Sequence, residues 1–147
     1  MVENKRRYRI LVADDEPEVV DLVTMMLEMG GYTALSAADG LETLERVRAE
    51  MPDLVLLDVR MPGMSGLDVL AQLQREAATA TIPIIMLSVV TTYPEVRDAL
   101  NQGAVAYLSK PFELKEMMWL VGRVLDMDAA EREALRQRSL KSAGKEW

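Results

Sequence analysis

The chain contains no cysteine and no histidine among its 147 residues. Without cysteine there are no disulfides and no thiolate metal sites, and an intracellular, cytoplasmic setting is the simplest expectation. Without histidine the chain has no imidazole base, ligand or phosphocarrier, so any phosphohistidine must come from another molecule. Aromatics make up only 5% of the residues. No apolar run approaches the length of a membrane span, and no secretory signal opens the sequence. A net charge of −7 argues against non-specific nucleic-acid binding. Lys5, Arg6 and Arg7, with Arg9, form a short basic cluster that reads as a solvated N-terminal arm over residues 1–7.

Half of the chain is apolar, and its most informative stretch is Leu54-Val55-Leu56-Leu57-Asp58. Such a run suits a strand buried on both faces of a parallel sheet. Met61-Pro62-Gly63 forces a turn soon after it, which puts Asp58 at the carboxyl end of the strand, where open α/β sheets bind ligands. A buried charge there is costly unless a cation, a base or water is near.

The same pattern recurs along the chain. Ile10-Leu11-Val12-Ala13 is a strand ending in Asp14-Asp15-Glu16, and Pro17 opens a helix with Val19, Leu22, Val23 and Met26 on its inner face. Residues 32–37 form a second strand. Asp39 caps a helix to Glu50 with Leu41, Leu44 and Val47 at helical spacing. Ser65 caps a third helix carrying Leu67, Leu70 and Leu73. Residues 82–88 form a strand with Pro83 near its start. Pro94 opens a fourth helix and Gly103 closes it. Residues 105–108 form a fifth strand, and a fifth helix starts near Glu113. Five alternations predict an α/β fold, a doubly wound five-stranded parallel sheet with right-handed crossovers. Residues 126–147 carry five acids and five bases, and read as a helical or frayed extension with an i,i+4 pair between Asp128 and Arg132.

In a doubly wound sheet the first and third strands are neighbours, so Asp14, Asp15 and Asp58 converge. Carboxylates that close repel one another, and a hard divalent cation relieves the strain; with oxygen ligands alone, magnesium is the natural choice. Lys110 follows the fifth strand and Ser88 ends the fourth. The five residues suit an aspartate nucleophile attacking a phosphoryl donor, with metal and lysine neutralising the transferred group.

Val12-Ala13-Asp14-Asp15-Glu16-Pro17, Leu57-Asp58 through Gly66, Leu87-Ser88, and Gly103 through Phe112 together resemble the response-regulator receiver domain of two-component signalling, over roughly residues 8–125. The resemblance implies a flavodoxin-like receiver fold with strand order 2-1-3-4-5. It implies a switch rather than an enzyme, with Asp58 as phosphoacceptor from a histidine kinase or phosphotransfer protein. Asp15, Asp58, the Arg60 carbonyl and Asp14 would hold Mg²⁺ (or Mn²⁺). Lys110 would pair with the phosphoryl oxygens, across a cis bond to Pro111. Ser88 would move to the phosphoryl group and Tyr107 would swing inward behind it. Arg60 and Val90 occupy positions that tune phosphoryl lifetime in the family. Val89 stands where the family usually has alanine or glycine, and Val105-Ala106 replaces a frequent acidic pair. Three other readings compete. A receiver-like scaffold without phosphate turnover draws on Val89 alone. An aspartate-nucleophile phosphohydrolase would need a second catalytic aspartate where Arg60 stands, and a flavin binder a phosphate-cradling loop where the acids stand.

With 22 electroneutral residues after the receiver, the expected output is a downstream protein contact, not direct nucleic-acid or membrane binding. On the fifth helix Trp119 lies about 160° from Val121, on the polar face, with Leu120 on the flank. This predicts a homodimer or partner surface on helix 4, strand 5 and helix 5, with the tail helix continuing from helix 5. Met25 and Met29 flank the core stripe of the first helix as edge packing or a kinase-docking surface.

Overall fold

The computed structural model describes residues 7–89 and 93–146. Lys5, Arg6 and Val90 lie outside them. Five strands alternate with helices: β1 Arg9–Ala13, α1 Pro17–Met29, β2 Thr33–Ala37, α2 Gly40–Glu50, β3 Leu54–Asp58, α3 Gly66–Arg75, β4 Ile84–Ser88, α4 Tyr93–Asn101, β5 Ala106–Ser109, α5 Leu114–Asp126 and α6 Ala129–Glu146. The sheet is parallel, in the order β2-β1-β3-β4-β5, as expected.

The alternation of side chains along each strand divides the core. Ile10, Val12, Leu54, Leu56, Ile85 and Leu87 meet Val23 and Leu27 of α1 and Met117, Val121 and Val124 of α5. Leu11, Val55, Leu57, Ile84 and Met86 face α2, α3 and Ala99 of α4. All five residues of β3 and of β4 are buried, which is why these strands read as continuous apolar runs. Asp39 caps α2 through the Glu42 N–H, and Ser65 caps α3 in a reciprocal capping box with Asp68.

Several expectations are corrected. Leu22 and Leu41 are exposed: α1 buries Val23 and Leu27, and α2 buries Thr43, Leu44 and Val47. An apolar spacing fixes a stripe but not which edge of it the sheet covers. Arg9 is not part of a solvated arm. Its backbone N–H donates to Asp53 at 2.8 Å and its guanidinium holds Glu50, tying the start of β1 to the end of α2. The tail helix does not continue from α5. Met127 is extended, and Asp128 starts a new capping box with Glu131, N–H to carboxylate both ways at 2.8 and 2.9 Å. Arg132 bonds Asp128 through the backbone, N–H to carbonyl at 3.0 Å, and its side chain donates through Nε to the Val124 carbonyl at 3.1 Å. From there α6 turns back over β5 and α4, placing Leu135 against the α5 side of the core and Leu140 against the Val96 and Leu100 cluster on which Tyr107 also packs.

Candidate functional site

The carboxyl ends of β1, β3, β4 and β5 surround a cleft of about 230 Å³ lined by Asp15, Glu16, Asp58, Arg60, Ser88, Val89 and Lys110. Parallel register makes this one place. Asp58 pairs with Leu87 and Ser88 with Ser109 across adjacent strands, so each strand delivers its last side chain to the same edge. Gly66 closes the wall behind: its N–H donates to the Val59 carbonyl at 2.8 Å, and a Cβ there would stand 2.0 Å from the Asp58 carbonyl oxygen. Only glycine permits that approach.

Asp14 and Asp58 are buried, Asp15 is exposed, and one carboxylate oxygen from each lies within 4.8 Å of the others. Lys110 Nζ is 2.5 Å from Asp14, 3.3 Å from Glu16 and 3.6 Å from Asp58. The Lys110–Pro111 bond is cis. Burial pushes the Asp58 carboxyl up to about 6, Asp14 adds to the rise, and Lys110 and the Arg60 N–H at 3.4 Å oppose it. Burial works against the Lys110 ammonium, yet its hydrogen bond to Asp14 and the charge of Asp58 outweigh it and raise its pKa above the ordinary lysine value. Three carboxylates thus face one ammonium. The oxygen-only, partly open donor set fits a hard divalent cation that keeps several waters.

Ser88 is fully buried and its Oγ reaches Glu95 Oε1 at 3.5 Å. The Tyr107 hydroxyl donates to the same oxygen at 3.0 Å, while Arg60 pairs with Glu95 Oε2 at 3.1 Å. Burial and the Glu95 charge, against a bond from Ser88, push the Tyr107 phenol up to about 12. The predicted residues Asp14, Asp15, Asp58, Ser88 and Lys110 therefore share one cleft, and Tyr107 connects to it through Glu95. Sequence reasoning missed Glu95 and Glu16. An acid in the first turn of a helix is commonplace, so position 95 carried no local signal. Val89 is 62% exposed and sits on the rim, where the cleft meets an apolar groove that includes Leu22 and Phe112; it does not fill the space beside Asp58.

Comparison with known proteins agrees with this geometry. A sequence model of the response regulator receiver domain matches residues 10–121. The chain is 38% identical over 120 residues to protein PilH of Pseudomonas aeruginosa, covering 80% of this chain and 97% of that protein. It is also 38% identical over 117 residues to the DNA-binding dual master transcriptional regulator RpaA of Synechocystis, covering 80% of this chain but 48% of the relative. It spans the same share, 48%, of the DNA-binding response regulator MtrA of Mycolicibacterium smegmatis; the chain thus spans about half the length of these curated relatives. Among solved structures, a response regulator from Chloroflexus aurantiacus superposes with a TM-score of 0.79 at 30% identity, covering 83% of this chain and all of that one. Chemotaxis protein CheY4 of Vibrio cholerae gives 0.77 at 28% identity, over 81% of this chain and 99% of that one. With the strand order, the acidic cleft and these matches in agreement, the chain belongs to the response-regulator receiver domain family of two-component signalling.

Proposed function

We propose that Asp58 is the phosphoacceptor. A carboxylate oxygen of Asp58 attacks the phosphorus of a phosphohistidine on a kinase or phosphotransfer protein; the new P–O bond forms as the P–N bond breaks and the imidazole leaves with the electron pair. The observation that carries this reading is a buried strand-end aspartate within chelating reach of Asp14 and Asp15 and 3.6 Å from a lysine ammonium. Asp14, Asp15, Asp58 and the Arg60 carbonyl would hold Mg²⁺ or Mn²⁺, which when bound supplies charge neutralisation for the transferred group. Lys110 leaves Asp14 for a phosphoryl oxygen at little cost, because both partners are anionic. The Ser88 hydroxyl turns from Glu95 toward the new acceptor oxygens, and Tyr107 follows inward.

The chain acts as a phosphoacceptor switch rather than a turnover enzyme. Residues 8–125 form the receiver and 126–147 an extension. The output runs through protein contacts, with a homodimer across α4, β5 and α5 as one form of it, and not through direct contact with nucleic acid. RpaA and MtrA are DNA-binding by name, and duplex binding by this chain is checked by salt-dependent titration. Among the described residues no helix is long and apolar enough to cross a membrane, and a kinase partner assigns the chain to the cytoplasm. The scaffold reading loses its support with Val89 on the rim.

Incubation with phosphoramidate and Mg²⁺, followed by intact mass, tests the assignment. The wild type gains one phosphoryl group and Asp58→Asn gains none. Undiminished uptake by Asp58→Asn overturns it.

A further inference from the structure

The inner face of α6 has mixed chemistry. Arg132, Leu135, Arg136, Ser139 and Leu140 are its half-buried positions, at i, i+3, i+4, i+7 and i+8, while the residues between them are exposed. This is the spacing of one docked helical face. Its contacts are few and specific. Leu140 packs on the Val96 and Leu100 cluster that Tyr107 also packs on, and Leu135 packs on the α5 side of the core. Arg132 donates to the Val124 carbonyl in the last turn of α5, and the Arg136 guanidinium donates to the Leu100 carbonyl at the end of α4 at 2.7 Å. Two cations thus add second donors to end carbonyls of the two helices that flank β5, which already accept the Met127 and Gly103 N–H groups, and the helix lies over the edge strand between them.

Tyr107, which shares the Val96 and Leu100 cluster with Leu140, is the far end of the Glu95 network. Glu95 accepts from Tyr107 and Ser88 and pairs with Arg60, and two of these groups, Ser88 and Arg60, line the Asp58 cleft. A phosphoryl group on Asp58 offers both of them a more highly charged acceptor. Glu95 then loses the Ser88 and Arg60 contacts that fix it, Tyr107 loses the arrangement of Ser88 and Glu95 that holds its hydroxyl, and the ring withdraws from the cluster it shares with Leu140.

From this geometry we infer that the α4–β5 face is a helix-docking surface, that its resident occupant is the chain's own α6, and that phosphorylation of Asp58 vacates it. The inference rests on the phosphoacceptor reading and adds the occupant and the latch. α6 lies beyond the 10–121 span matched by the family, so the device belongs to this chain's extension. A partner for the vacated face is an amphipathic helix with aliphatic side chains about five residues apart and an arginine to meet the Leu100 carbonyl. A groove of about 500 Å³ between α6, β5 and α5, with Trp119 on its rim, marks where such a helix would extend its contact.

Amide exchange on the full chain tests this. In Glu95→Ala, without phosphodonor, exchange over residues 132–142 should rise about tenfold, the cost expected for one hydrogen bond to a charged group, while α2 is unchanged. Glu95→Gln, which keeps an acceptor for Tyr107, should restore part of the protection. In the wild type treated with phosphoramidate and Mg²⁺, the phosphorylated fraction should show the same rise. Leu140→Asp should undock α6 and, by linkage, raise the phosphorylated fraction at equilibrium with the phosphodonor. Phosphoryl uptake by mass with α6 exchange unchanged overturns the docking switch and leaves Asp58 as acceptor. Absence of uptake overturns the phosphoacceptor reading, and an unperturbed α6 in Glu95→Ala then removes the latch as well.

Discussion

Asp58 bears a cost that its neighbours only partly relieve. Its carboxyl ionises near 6 instead of 3.8 because it is buried beside Asp14. Below about pH 4 the group is protonated in both folded and unfolded chains, and the fold is not penalised. Between about 4 and 6 the unfolded chain has released a proton that the folded chain keeps, so stability falls as pH rises, and above 6 the whole penalty, about 3 kcal/mol, applies. Asp58→Asn should therefore stabilise the metal-free protein by about 2–3 kcal/mol at pH 7 and by little at pH 4. Urea denaturation in chelator at the two pH values checks this; equal gains at both would show that the carboxylate is not the source. Ser88→Ala should still accept the phosphoryl group but lose the response at α4, read by amide exchange over residues 93–102. A full response in that variant would exclude the hydroxyl from the switch.

At the scale of elements, the junction of β3 and α3 sets the position of the acceptor. Gly66 sits so close to the Asp58 carbonyl that a methyl group there would overlap it. Gly66→Ala should cost about 1–3 kcal/mol of stability through overpacking and slow phosphoryl uptake by moving Asp58 against Asp14 and Lys110. Chemical denaturation and timed intact mass measure the two effects, and an unchanged uptake rate would mean that the loop adapts without moving the carboxylate. The ends of α4 and α5 are comparable joints, where an arginine from α6 joins the backbone cap on the same carbonyl.

For the whole molecule, a divalent cation held by the acidic cleft should raise stability. Mg²⁺ at about a hundredfold above its dissociation constant should add about 2.7 kcal/mol, and Asp15→Ala should abolish the gain. A titration of unfolding midpoint against Mg²⁺ decides, and equal gains in the two proteins would move the metal elsewhere. Trp119 is 64% exposed and its ring lies 5.5 Å from the Arg123 guanidinium, a contact that holds the ring without burying it. Buried against a second copy or a partner, it should contribute about 2 kcal/mol. Sedimentation of wild type and Trp119→Ala, each with and without the phosphoryl group, should show association only in phosphorylated wild type. Four identical monomer profiles would leave Trp119 an exposed ring.

The chain's apolar pattern determined the fold and most of the cleft. Strands buried on both faces leave continuous runs such as residues 54–57, and the residue that ends each run must lie at the carboxyl edge, so Asp14, Asp15, Asp58 and Ser88 could be placed from local order alone. Lys110 follows from the same logic. Packing between segments far apart decided the rest. Whether Leu22 or Leu27 faces the sheet depends on how α1 settles against β1 and α5, and the apolar spacing admits both. Glu95 becomes the hub of Ser88, Tyr107 and Arg60 only when α4 is laid beside β4 and β5. The course of α6 was decided by tertiary structure alone, because its docked face alternates arginine, serine and leucine and carries no hydrophobic period. What seats it is a pair of helix-end carbonyls and an edge strand, groups that the backbone supplies and that no side-chain pattern records.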